Sequence, residues 1–222
     1  MTTPDDVLKG LYDETLVGNA PRVLELTEEG LALGMEPQTL LFDALIPSLE
    51  EVGARFERGD FFVPEMLIAG RAMAGAMERL RPLLAETGVE TVGKFLMGTV
   101  KGDVHDIGKN LVNIMLEGAG FHVIDLGVQV SPDKVIAGIH EHKPDIVGFS
   151  AFLTTTMPMF KANINALQKA GLREQVIVMV GGAPVTQEYA DAVGADGYAA
   201  DAATAVRKAK ELLAVRRAAV GV

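Results

Sequence analysis

The chain of 222 residues is 49% hydrophobic and 23% charged, with a formal net charge of −10. That length and apolar content suit one large or two small domains with buried cores and exclude a disordered chain. The absence of cysteine excludes disulfides, zinc–thiolate sites, iron–sulfur clusters and thiol catalysis, and the acidic balance argues against a general nucleic-acid surface.

The first six residues lack the basic-then-apolar order of a signal peptide. No stretch approaches the roughly 20 apolar residues of a membrane span, so the chain reads as cytoplasmic. Residues 1 to 88 read as helices throughout. Asp5 or Asp6 is positioned to cap a first helix reaching about Val17, which Gly18-Asn19-Ala20-Pro21 breaks. A second helix is expected from Pro21 to Leu33, stopping at Gly34. A third is expected from Pro37 to about Arg58, with Pro47 kinking or breaking it. A fourth runs from Pro64, carries Met66, Met73, Met77 and Leu80, and ends before Pro82. Four helices with short connections suggest a small bundle. Ala85 to Glu90 reads as the linker to the second half.

From residue 89 onward the pattern alternates. Short β-rich runs at Val92–Val100, Phe121–Leu126, Ile146–Ser150, Val176–Val180 and Gly197–Ala199 are each followed by a helical stretch. Five strands alternating with five helices indicate a doubly wound parallel sheet. Ligands bind such sheets at the carboxyl ends of their strands, and three groups of residues fall there.

The first group is Asp103-Val104-His105-Asp106-Ile107-Gly108, directly after the first strand. Its plainest reading is a solvated loop whose aspartate caps the next helix. The alternative is a metal ligand, with His105 coordinating through one ring nitrogen while Asp103 accepts the N–H of the other. One protein nitrogen cannot build a four-ligand zinc site, so such a metal would arrive already held by a macrocycle. The second group, Ser150 to Thr156, carries four hydroxyls: Ser150, Thr154, Thr155 and Thr156. Each could be turn or cap chemistry. Together they could also donate to cofactor nitrogens and to the Asp103 carboxylate. The third, Gly181-Gly182-Ala183, suits a tight turn, a phosphate loop or a flat group lying against bare backbone. Around Tyr198 the chain reads as an ordinary turn entering the last strand. His122, His140 and His142 show no partner pattern.

Asp103-X-His105-X-X-Gly108, then Ser150-X-Phe152, then Gly181-Gly182 resembles the signature of the cobalamin-binding domain of methionine synthase, B12-dependent mutases and methyltransferase corrinoid proteins. Phe152 stands where that pattern usually has leucine, with Leu153 beside it. The stretch Arg55 to Met66, at the end of the helical half, is similar to the cap module of methionine synthase and of corrinoid proteins serving methylamines, methanol or methoxylated aromatics.

The resemblance implies a helical-bundle cap over residues 1–88. Residues 89–222 would then form a flavodoxin-like (Rossmann-like) cobalamin-binding domain with a five-stranded parallel sheet. It implies cobalamin as cofactor, methylcobalamin in its loaded form, and His105 as the lower axial ligand of cobalt in place of the vitamin's own base. Asp103 and Thr156 would form a proton relay behind His105. Val104, Asp106, Ile107, Gly108, Phe152, Leu153 and Thr154 would border the corrin or its tail. Ser150, Gly181, Gly182, Ala183 and Tyr198 would line the nucleotide slot, and Phe61 and Phe62 would cover the upper face.

The activity so implied is methyl carriage between cobalt(I) and methyl-cobalt(III). It requires a substrate:corrinoid methyltransferase, a second methyltransferase serving tetrahydrofolate or coenzyme M, and a reductive activase, all on separate chains. A cobalamin-dependent sensor or regulator is the alternative, although such proteins usually add a DNA-binding domain and the light-sensing type uses a tryptophan that this chain lacks. The small subunit of an adenosylcobalamin mutase is another, but those subunits seldom carry a helical cap.

Overall fold

The computed structural model describes residues 2–87 and 91–220. The chain divides into two compact units, one built mainly on residues 1–90 and the other mainly on residues 91–222.

The first unit is helical: α1 (Pro4–Leu16), α2 (Ala20–Ala32), α3 (Pro37–Leu40), α4 (Ile46–Arg58) and α5 (Val63–Thr87). Two details depart from expectation, the α1 cap and the end of α5, while the break beside Pro47 agrees with it. Thr3, rather than Asp5 or Asp6, caps α1; its hydroxyl accepts the Asp6 N–H while the Asp6 carboxylate accepts the Thr3 N–H at 3.0 Å, so two end groups are satisfied at once. The third predicted helix is split by a π-helical turn, Leu41–Leu45, in which the Ile46 N–H reaches Leu41 O. Pro47 has no N–H for the carbonyl one turn earlier, and its ring crowds that carbonyl, so the widened turn sits where a regular one would clash. Helix α5 does not stop at Pro82 but passes through it to Thr87, the first half of the stretch expected as linker. Pro82 is on the exposed side, where water can take the carbonyl it leaves unpaired. The rest of that stretch, residues 88–90, lies outside the described residues. The buried stripe of α5 is Met66, Ala69, Met73, Ala76 and Leu80, at helical spacing.

The second unit alternates β1 (Lys94–Thr99), α6 (Ile107–Gly118), β2 (His122–Asp125), α7 (Pro132–His142), β3 (Ile146–Ser150), α8 (Pro158–Lys169), β4 (Ile177–Gly181), α9 (Gln187–Val193), β5 (Gly197–Ala199) and α10 (Ala202–Val220). All pairings are parallel, in the order β2-β1-β3-β4-β5. Residues of β1, β3 and β4 are buried almost end to end, because helices cover both faces of the sheet. On one face Leu96, Val147, Phe149 and Val178 meet Ile139, Phe160 and Ile164. On the other, Phe95 fills the space beside Gly148, where an added Cβ would fall 2.4 Å from its ring. The chain leaves β1 toward one edge for β2 and returns to the other side for β3. The loops after β1 and β3 therefore part and leave a crevice at the carboxyl edge.

Lys109, only 2% exposed in the first turn of α6, gives its ammonium to the Asp125 carboxylate at the end of β2 and to Asn110 Oδ1 at 2.7 Å. This cation would be poorly placed at a helix N-terminus without that carboxylate. It ties the start of α6 to the edge strand. Asp125→Ala removes the charged partner of a buried ammonium and is expected to cost about 2 kcal/mol, measured as the change in urea unfolding midpoint at neutral pH.

Candidate functional site

The crevice between the β1 and β3 loops is built around Asp103, whose side chain is 0% exposed. Gly102, at φ +88°, turns the chain inward just before it, a conformation that favours glycine. Asp103 Oδ1 accepts the His105 N–H at 3.0 Å and faces His105 Nδ1 at 2.7 Å. Oδ2 accepts the Phe152 N–H at 2.8 Å, the Leu153 N–H at 3.2 Å and the Thr156 hydroxyl at 2.7 Å. One carboxylate thus joins the loop after β1 to the loop after β3. Burial alone would push this carboxyl up. The hydrogen bonds from the His105 main chain, Thr156, the His105 ring and the Phe152 main chain outweigh it and hold the group well below the usual carboxylate range. The solvated-loop reading of Asp103 is therefore wrong: it is the buried anchor of two loops.

With Asp103 ionised, its contact with the imidazole is a hydrogen bond that the Nδ1 N–H donates, so Nε2 is the ring nitrogen turned away from the carboxylate. The His105 side chain is 44% exposed, and Thr99, buried at the end of β1, donates its hydroxyl to His105 O at 3.0 Å. Val104, Phe152 and Leu153 on the same two loops, and Ile107 at the start of α6, are exposed apolar residues. A Cβ added at Gly108 would meet nothing within 4 Å. Among the described residues, no three His, Asp or Glu side chains gather to hold a metal. A single imidazole with a carboxylate behind it, amid exposed apolar residues and open backbone, fits a metal whose equatorial positions a flat macrocycle already fills.

The other predicted residues of the sheet unit lie on its strand ends and the loops that follow them. Of the four hydroxyls from Ser150 to Thr156, Thr156 is the one that reaches Asp103 among the described residues; its proton can go to that carboxylate or to Leu153 O at 2.8 Å, one at a time. Ser150 ends β3, its carbonyl accepting the Val100 N–H at 3.0 Å, and Thr154 is exposed. Gly181 ends β4, and its carbonyl accepts the Ala151 N–H at 3.2 Å. Gly182 has φ +132°, and a Cβ there would lie 1.9 Å from Ala151 O. The close approach of the β3 and β4 ends therefore requires glycine. Ala183 is exposed, Tyr198 is half-buried on β5 opposite Val180, and Asp106 is exposed before α6. In the helical unit, Phe62 is exposed just before α5, with its N–H on Glu65 Oε2 at 2.9 Å, and Phe61 lies under the Arg55 guanidinium at 5.1 Å.

Sequence reasoning missed three contributors: Thr99, the Gln129 N–H on Asp103 O at 3.1 Å, and the stacking of Phe152 on His105. A hydroxyl at the last residue of β1 was a readable signal for Thr99. The other two depend on contacts between distant loops.

A doubly wound domain that offers one buttressed imidazole at its topological switch point defines a binder of a metal macrocycle. The B12 binding domain family matches residues 93–207, and a second family of that description matches residues 7–81. The chain is 45% identical to dimethylamine corrinoid protein 1 of Methanosarcina acetivorans, over 95% of this chain and 99% of that one. It is 42% identical to trimethylamine corrinoid protein 2 of Methanosarcina mazei, over 92% of each. Among solved structures, it is similar to a chain in the methanol:cobalamin methyltransferase complex of Methanosarcina barkeri. There the TM-score is 0.82 and the identity 29%, over 95% of this chain and 80% of that one. The chain belongs to the B12-binding corrinoid proteins, and its cofactor is a corrinoid. No helix among the described residues is long and apolar enough to cross a membrane.

Two outcomes follow from the geometry. Gly182→Ala is expected to cost about 3 kcal/mol in urea unfolding, because the methyl group meets backbone that cannot give way and φ is unfavourable. Asp103→Asn keeps the shape but turns an amide NH₂ or a neutral oxygen toward the donors. It should cost about 3 kcal/mol at pH 7. A lowered folded-state value stabilises above the unfolded carboxyl range and is lost as pH falls. The gap between wild type and variant should therefore narrow by roughly 1 kcal/mol from pH 7 to pH 3, measured by urea unfolding at both.

Proposed function

We propose that the chain is the methyl-carrying subunit of a methyltransferase system, with His105 as the lower axial ligand of its corrinoid cobalt. The observation that carries this is the 2.7 Å contact between His105 Nδ1 and the buried Asp103 carboxylate, on a side chain that is 44% exposed. When bound, the corrinoid supplies a cobalt centre able to accept and release a methyl group.

The protein's part is positional and protonic. Asp103 accepts the Nδ1 N–H, so Nε2 is the nitrogen left for the metal. A proton delivered to the Asp103–His105 pair would weaken Nε2 as a donor, and Thr156 stands behind the carboxylate to receive or supply one. Ser150, Gly181, Gly182, Ala183 and Tyr198 are assigned to the nucleotide tail, supported by the glycine-only approach at residue 182. Val104, Asp106, Ile107, Gly108, Leu153 and Thr154 are assigned to the corrin edge, supported by their exposure around the imidazole. The exposed Phe62 ring, with Phe61, is the proposed cover for the group the cobalt carries.

The names of the relatives at 42–45% identity support a methylated amine as the methyl source, delivered by a separate substrate:corrinoid methyltransferase. A second methyltransferase would pass the methyl group to tetrahydrofolate or coenzyme M, and a reductive activase would restore cobalt(I).

The test is reconstitution with hydroxocobalamin followed by absorption spectroscopy. Wild type should show the spectrum of cobalamin with its own base displaced and a protein nitrogen bound. His105→Ala should lose that nitrogen and cut methyl transfer from dimethylamine, with partner enzymes present, by at least tenfold. A His105→Ala spectrum identical to wild type sinks the assignment. Methylation from methanol but not from any methylamine sinks the donor class.

A further inference from the structure

The carboxylate that holds His105 also holds a second ring beside it. Phe152 takes its place through its main-chain N–H on Asp103 Oδ2 at 2.8 Å, and its ring lies on the imidazole with centroids 4.4 Å apart and planes inclined by 31°. Phe152 is 52% exposed, so burial in the core does not explain a large aromatic side chain there. The hydrogen bond to Asp103 fixes one atom of the imidazole, yet the ring can still swing about the Nδ1–carboxylate axis. A second ring on its face removes that freedom. Phe152 lies on the face of the imidazole, and the His105 side chain stays 44% exposed.

We propose that Phe152 is a positioning residue that preorganises His105 for axial coordination, by stacking on the imidazole and restricting its rotation. This rests on the assignment of His105 as the cobalt ligand. Its physical content is entropic: a ring already held in the coordinating orientation loses less freedom when it binds. The substitution that isolates the effect is Phe152→Leu. It keeps an apolar side chain of similar reach and the N–H to Asp103 but has no aromatic face. Phe152→Tyr keeps the face and serves as the rescue.

The experiment uses the full chain loaded with cob(II)alamin. In wild type, electron paramagnetic resonance should show each cobalt line split into three by one axial nitrogen, collapsing to two when histidine is labelled with nitrogen-15. In Phe152→Leu those splittings should broaden as the ring samples more orientations. The cobalt(II)/cobalt(I) midpoint potential should become less negative, because reduction releases the axial nitrogen. The shift should correspond to roughly threefold to tenfold weaker histidine coordination, the size expected of an aromatic pair, and Phe152→Tyr should restore the wild-type values.

A Phe152→Leu protein with the splitting and potential of wild type overturns the inference and leaves His105 as ligand. Absence of nitrogen splitting in wild type overturns the ligand assignment itself.

Discussion

A buried carboxylate that stays charged is the constraint on which the functional end of the molecule rests. Removing Asp103 from water is unfavourable by itself, and it is offset by five donor groups from two loops that the chain places far apart. The satisfaction runs both ways. The carboxylate needs the loops closed around it, and the loops meet through its hydrogen bonds. The imidazole orientation, the Nδ1 proton and the position of Phe152 all follow from that one buried charge.

The sheet makes this possible through its order. Because β1 and β3 are neighbours while the chain visits β2 between them, their following loops diverge and leave room above the strand ends. The β4 end is drawn in tightly by Ala151 N–H on Gly181 O and by the bare backbone at Gly182. At the opposite edge, the Lys109 pair with Asp125 pins the start of α6. A rigid framework thus carries an exposed apolar surface with one nitrogen donor in it. The helical unit contributes different physics: a stripe of methionine, alanine and leucine packed within α5, and an exposed aromatic residue at the entry to that helix.

Much of this was legible beforehand. The change from helical periodicity to alternating short apolar runs separated the two halves, and the parallel sheet followed from five short strands alternating with five helices. Asp103 and His105 stood out by residue type and by position after a strand. The errors were local. Pro47 reads as a kink or break, and the helix is indeed split there by a π turn. Pro82 reads as a helix end, yet α5 passes through it with the proline on the exposed side. The α1 cap was misplaced by two or three residues because a capping box depends on a reciprocal pair, Thr3 with Asp6, more than on the first acidic residue.

By itself, the order of residues determined the two-part architecture, the strand and helix content, and the residue types at the carboxyl edge. Those are set by periodicity, by glycine and proline, and by chemistry each residue carries wherever it sits. Tertiary structure decided which hydroxyl of four reaches Asp103, that the aspartate is buried and not a solvated cap, and that Phe152 lies on His105. Each of these depends on the separation of two loops some fifty residues apart, and only the folded sheet sets that distance.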